Sequence, residues 1–128
     1  MAKILVVDDE VPLTEILRDN LMLGGHEVVI CHDSPTALRM AIEAVPDIAI
    51  IDYQMPGKTG VQLLAELRAH KNTRQLPVAF LSGTETVRFA SLVPPDPRVR
   101  FLRKPIDMEV LATTVREMLD PNSWSARP

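Results

Sequence analysis

Three acids stand where apolar runs end. Ile4-Leu5-Val6-Val7 leads directly into Asp8 and Asp9, and Ile48-Ala49-Ile50-Ile51 leads into Asp52. Carboxylates brought together repel one another and raise each other's pKa unless a cation neutralises them. Oxygen ligands from a few acids, with positions left open for water and phosphate oxygens, suit Mg²⁺ or Mn²⁺ better than a calcium cage or a zinc site. His26, His32 and His70 lack metal-ligand spacing. Taken alone, Asp8-Asp9 also reads as a solvated strand end that caps the next helix.

Two further groups change that balance. Lys104 follows the apolar run Val99 to Leu102 and precedes Pro105, so its ammonium can reach back toward Asp52. Ser82 follows Val78 to Leu81 and precedes Gly83, which leaves a hydroxyl and an open backbone at another run's end. A surface lysine and a turn serine are the plainer readings of each by itself.

The elements that must position these groups alternate along the chain. Short apolar runs at Ile4 to Val7, Val28 to Cys31, Ile48 to Ile51, Val78 to Leu81 and Val99 to Leu102 predict five strands. Between them, Leu13, Ile16, Leu17 and Leu21 after Pro12 predict one helix face, and Leu38, Ala41, Ile42 and Val45 after Ser34-Pro35 predict a second. Thr59 and Gln62 are spaced as a capping box ahead of Leu63, Leu64 and Leu67, and Asp107 opens a last helix carrying Leu111, Val115 and Met118. The fourth helix, begun near Glu85, must stop at Pro94-Pro95-Asp96-Pro97 and is expected to be short or irregular. Strands alternating with helices imply a parallel sheet covered on both faces, whose ligand site lies beyond the carboxyl ends of the strands where strand order reverses. In one common doubly wound order, 2-1-3-4-5, the first and third strands are neighbours, which would bring Asp8, Asp9 and Asp52 together; the order is adopted from that class of sheet and does not follow from these residues.

Composition narrows the function. A chain of 128 residues, 46% hydrophobic, accommodates one domain with one core. A net charge of -3, with basic residues gathered only at Arg98, Arg100, Arg103 and Lys104, argues against direct nucleic-acid binding. No apolar stretch approaches a membrane span of about 20 residues, and the first acid comes too early for a signal-peptide core. The lone Cys31 can form no intrachain disulfide and reads as a small buried hydrophobe, in keeping with a cytoplasmic location. Pro121 to Pro128 has the composition of a tail or the start of a linker.

Four pieces in order, each at the carboxyl end of its own expected strand, carry a family resemblance: Val6-Val7-Asp8-Asp9, Asp52-x-x-Met55-Pro56-x-x-x-Gly60, Ser82-Gly83 and Phe101-x-x-Lys104-Pro105. Together they resemble the receiver domain of two-component response regulators, over residues 1–120. The resemblance implies a flavodoxin-like, doubly wound α/β fold with a five-stranded parallel sheet and five helices. It implies that Asp52 is the phosphoacceptor, that Asp9 ligates Mg²⁺ or Mn²⁺ directly, that Asp8 helps through water, and that the Gln54 backbone carbonyl supplies another oxygen. Lys104 would pair with the phosphoryl group, Ser82 would hydrogen-bond it, and Phe101 would turn inward as Ser82 moves. Pro105 would follow a cis bond, and Gln54 and Thr84 would tune the lifetime of the phosphate. The donor would be a sensor histidine kinase or a histidine phosphotransfer protein, and the output would pass through the face of the fourth helix, fifth strand and fifth helix to a downstream protein or a phosphorylation-dependent homodimer. Arg88, Arg98 and Arg100 lie near that face as a solvated rim or a contact for an acidic partner, and the proline cluster puts transfer of a standard dimer mode in doubt.

Two other readings use the same residues. A Mg²⁺-dependent aspartyl phosphohydrolase would resemble Asp-x-Asp after the first strand, whereas Asp8-Asp9-Glu10 has no second Asp at that spacing. An interaction module that works without phosphorylation would lack a site residue, and none is missing. A nucleotide site is disfavoured because acids replace the glycines that would cradle phosphate in the first turn.

Overall fold

A computed structural model of the chain describes residues 2–55, 57–83 and 96–120. Five strands, β1 (Lys3–Val7), β2 (Glu27–Cys31), β3 (Ile48–Asp52), β4 (Val78–Ser82) and β5 (Val99–Arg103), pair in parallel in the order β2-β1-β3-β4-β5. The strands are longer than the apolar runs that announced them, and Asp52 and Ser82 are consequently the last residues of β3 and β4. The described helices are α1 (Val11–Leu23), α2 (Ser34–Ala44), α3 (Gly60–Ala69) and α4 (Met108–Leu119). The helix expected near Glu85 falls at 84–95, and the tail at 121–128; both lie outside the described residues.

Alternation along the strands divides the core in two. Leu5, Val7, Ala49, Ile51, Val78 and Phe80 point to the side covered by α2 and α3. Ile4, Val6, Ile48, Ile50, Leu81 and Leu102 point to the side covered by α1 and α4. β3 and β4 are buried along their whole length, as a parallel sheet covered on both faces requires. Asp8 continues the phase of Ile4 and Val6, and Asp52 that of Ile48 and Ile50, so both acids emerge on the α1 side. Ser82 falls on the opposite phase, with Phe80.

Helix starts follow local chemistry. Asp33 accepts a bond from the Thr36 amide at 2.8 Å and caps α2 one residue before the expected Ser34-Pro35 signal. The capping box of α3 is complete, with Thr59 and Gln62 bonding each other's backbone amides. Asp107 caps α4 through the Glu109 and Val110 amides. Two expected core residues are on the surface. Ile16 is 50% exposed, because the buried face of α1 is Thr14, Leu17 and Leu21, where Thr14 folds its hydroxyl back onto the Val11 carbonyl at 2.7 Å. Val45 is 60% exposed because it ends α2 in the left-handed region, φ 48°, where a glycine is commoner.

Asp96 does more than help stop a helix. Its Oδ2 accepts from Arg68 Nε at 2.7 Å and its Oδ1 from the Arg98 amide at 2.9 Å, which ties the entry of β5 to α3. Burial opposes its ionisation, but the Arg68 and Arg98 contacts win and hold its pKa below the ordinary carboxylate value. A carboxylate with a lowered folded pKa contributes stability above its unfolded pKa and loses it as pH falls through the folded one. Asp96→Asn should therefore cost about 1–3 kcal/mol at neutral pH in urea unfolding, and the gap to the parent should close as pH falls below the carboxylate range.

Candidate functional site

The register brings the sequence-predicted groups to one end of the sheet. β1 lies between β2 and β3, so the ends of β1 and β3 are adjacent and Asp8 stands beside Asp52. Asp8 is fully buried, held by its own amide on the Cys31 carbonyl at 3.0 Å, and its Oδ1 accepts from the Glu10 amide at 2.9 Å. Asp52 is 7% exposed, and its Oδ1 accepts from the Gln54 amide at 3.1 Å. That bond turns the chain out of β3 and leaves Oδ2 facing the site. Lys104 reaches across from β5, with its amide on the Ser82 carbonyl at 2.8 Å and its peptide bond to Pro105 cis.

The Lys104 ammonium sits among three carboxylates. Its Nζ is 2.8 Å from Glu10 Oε1, 3.1 Å from Asp8 Oδ2 and 3.3 Å from Asp52 Oδ2. Among the described residues, Asp8, Glu10 and Asp52 form an acidic group whose oxygens lie within 4.8 Å of one another. Asp9 is exposed and is not a member of that group. Glu10 lies past the strand end, and its relation to Lys104 becomes visible only once β1 and β5 are placed in one sheet. The signal available was the run of three acids, Asp8-Asp9-Glu10.

Electrostatics at this cluster are unbalanced. Burial and the neighbouring Asp8 charge raise the Asp52 pKa, against the opposing pull of the Gln54 amide and Lys104. Burial would lower the Lys104 pKa, yet Glu10, Asp52 and Asp8 together raise it, so the ammonium remains charged. Asp8 Oδ2 has no aligned hydrogen bond although it is buried and close to Lys104. A buried carboxylate oxygen without a directed donor, beside a second acid at the end of a strand, is the donor set that a hard divalent cation takes. The residues present therefore fit Mg²⁺ or Mn²⁺.

The other described groups lie on β4, on β5 and in the turn after β3. Ser82 is buried at the end of β4. Gln54 is exposed and bridges to Thr59, which closes the turn from β3 into α3. Thr84 and Arg88 lie outside the described residues. Phe101 is half-buried and packs on Phe80 with ring centroids 5.7 Å apart, and Phe80 in turn meets the edge of Tyr53 at 5.4 Å. Arg100 donates to the Pro97 and Val99 carbonyls. His32 contacts the Asp8 carbonyl at 3.0 Å through Nδ1, a contact the sequence did not announce.

Two glycines and a serine shape the turn after Asp52. Gly57 has φ 101°, and a Cβ there would come within 2.8 Å of Ser34 Oγ, the atom that accepts from the Lys58 amide at 2.8 Å. Gly60 lies against the Tyr53 ring, where a Cβ would stand only 2.5 Å away. Grooves of about 410 Å³, beside His26 and Leu119, and about 520 Å³, beside Asp47 and Arg74, lie toward the opposite end of the strands.

Comparison with known proteins agrees with this geometry. Residues 4–116 match the model of the response regulator receiver domain. The chain belongs to that family. It is 36% identical over 128 residues to the transcriptional regulatory protein CpxR of Klebsiella pneumoniae, covering 98% of this chain and 52% of CpxR. It is 34% identical over 117 residues to the response regulator PleD of Caulobacter vibrioides, covering 91% of this chain and 26% of PleD. The chain thus spans about half the length of one curated relative and about a quarter of the other. Among solved structures, Vibrio cholerae chemotaxis protein CheY4 superposes with a TM-score of 0.81 at 30% identity, covering 93% of this chain and 99% of that one. This receiver domain has the five-stranded 2-1-3-4-5 sheet of its relatives, and no described helix is long and apolar enough to cross a membrane.

The raised pKa of Asp52 has a consequence for stability. Its charge opposes folding, so this cost is absent below the unfolded carboxylate pKa and complete above the raised folded one. Asp52→Asn should raise the melting midpoint in metal-free buffer at neutral pH, by roughly 3–5 °C for each ~1 kcal/mol of relief. The gain should shrink as pH falls through the raised pKa, and scanning calorimetry across pH measures both.

Proposed function

We propose that this receiver domain accepts a phosphoryl group on Asp52 from a phosphohistidine protein, either a sensor histidine kinase or a histidine phosphotransfer protein, or from a small acyl phosphate. The observation that carries this reading is the pairing of a buried, partly solvent-facing Asp52 carboxylate with the Lys104 ammonium 3.3 Å away. A carboxylate oxygen of Asp52 attacks phosphorus as the bond from phosphorus to the donor nitrogen or oxygen breaks, giving an acyl phosphate and returning the electron pair to the donor. Lys104 faces the negative charge that spreads over the transferring oxygens. The Gln54 amide holds the carboxylate in plane.

Asp8, Asp9 and Asp52, with the Gln54 carbonyl, would hold Mg²⁺ or Mn²⁺. When bound, that cation supplies neutralisation of phosphoryl charge. The reading that makes this chain a switch and not a turnover enzyme rests on product chemistry: the phosphoryl group stays on the protein, and Gln54 and Thr84 tune how slowly water removes it.

Phosphorylation replaces the single carboxylate charge at the end of β3 with a phosphoryl group carrying about two negative charges. Ser82 hydrogen-bonds the new oxygens, and Phe101 turns toward the space behind β4. Ser82 shares the sheet face of Phe80, and Phe80 touches Phe101, so a shift at the end of β4 has a packed route to β5. The output is read at β5 and α4 by a downstream protein or a second copy.

Incubation with acetyl phosphate and Mg²⁺ should add the mass of one phosphoryl group to the intact chain, and the addition should vanish in Asp52→Asn. Continuous phosphate release without adduct would favour a phosphohydrolase, and no reaction would favour a module that works unphosphorylated. For the second step, ring resonances of Phe101 should change between the free and phosphorylated protein. Identical Phe101 rotamers in both states, seen by nuclear magnetic resonance, would remove it from the switch.

A further inference from the structure

The site contains a competition that the proposed chemistry must resolve. A divalent cation and the Lys104 ammonium both seek the inward oxygens of Asp8 and Asp52, and the ammonium is already 3.1 and 3.3 Å from them. Two cations cannot share those oxygens at close range without mutual repulsion. Lys104 must move away from Asp8 when a metal arrives, yet it must stay near enough to meet a phosphoryl group on Asp52.

The geometry points to Glu10 as the residue that makes both possible, and this inference rests on reading Asp8 and Asp52 as part of a cation site. Glu10 Oε1 makes the shortest of the three Lys104 contacts, 2.8 Å. It also lies on the solvent side: the Glu10 side chain is 61% exposed, whereas those of Asp8 and Asp52 are 0% and 9% exposed. An ammonium that yields the buried pair to a metal can therefore swing outward onto Glu10 and keep a counter-charge. Glu10 is held in reach by its amide, which donates to Asp8 Oδ1 at 2.9 Å. Glu10 is a positioning residue: it acts on cation affinity through Lys104, by giving the displaced ammonium a place to rest.

A double-mutant cycle on the unphosphorylated full chain separates this role from direct ligation. Mg²⁺ is titrated calorimetrically into the parent, Glu10→Gln, Lys104→Met and the double variant, with melting midpoints confirming that each is folded. Lys104→Met should tighten Mg²⁺ binding by removing the competitor. Glu10→Gln should weaken binding about fivefold to tenfold when Lys104 is present, and by less than about twofold when it is absent, since Glu10 is then a screened, exposed charge. An equal or larger loss in the Lys104→Met background would make Glu10 a metal ligand and overturn the proposal. No loss in either background would make it a bystander and overturn it as well. Failure of the parent itself to bind Mg²⁺ would defeat the cation-site reading and the Glu10 role together. An intact parent affinity with a flat cycle defeats only the latter.

Discussion

The crowding of carboxylates at the end of β1 and β3, answered by the Lys104 ammonium from beyond β5, is the interaction on which the rest of the architecture turns. Asp8 and Asp52 are placed together by strand pairing and cannot separate without breaking the ladder between Ile4–Val7 and Ile48–Ile51. Their charges are taken out of water by the same burial that makes β1 and β3 good core strands. Burial and mutual repulsion raise the Asp52 pKa, and Lys104 offsets only part of that cost. The protein thus holds an electrostatic deficit that a cation or a rearranged lysine can relieve, and a site with unmet charge is one that responds to binding.

Much of this arrangement was legible in the residues because strand periodicity dictates which side chains share a face. Asp8 and Asp52 each follow apolar runs and each continue the phase of the residues that pack under α1 and α4. Reading the runs as strands was therefore enough to place two acids on one side, provided the strand order was right. That order came from the class of sheet and not from the residues, and the hydrogen-bonded ladder supplies it independently. Capping chemistry was similarly local: Thr59 with Gln62 and Asp107 act within one turn, so their sequence signals translate directly into bonds.

What escaped the sequence depends on distance along the chain or on how a helix is rolled against the sheet. Glu10 meets Lys104 across 94 residues, and Arg68 meets Asp96 across 28, and no periodicity links either pair. Ile16 and Val45 fit an apolar helix stripe, but α1 buries Thr14 by satisfying its hydroxyl on its own backbone, and α2 ends before Val45 can join its face. Asp96 stood in a proline cluster whose evident meaning was termination. Its second role, as the anchor of β5 on α3, needs the tertiary fold to be seen.

The opposite phase of Ser82 puts it on the other face of the sheet from Asp52 and Lys104. Asp52 and Lys104 act on the α1 side, whereas Ser82, one strand over, belongs with Phe80 and the ring of Phe101. These groups share the hydrogen-bonded frame of the sheet, and the Lys104 amide bonded to the Ser82 carbonyl fixes the two strand ends to each other. A side chain at the end of a fully buried strand cannot shift without repacking what lies beneath it, because close-packed interiors have discrete arrangements and little slack. The aromatic run Tyr53, Phe80 and Phe101 spans β3 to β5 on that face, with Tyr53 pressed against Gly60 at the start of α3. Phe101 is the half-buried member of that run, whereas Tyr53 and Phe80 are buried.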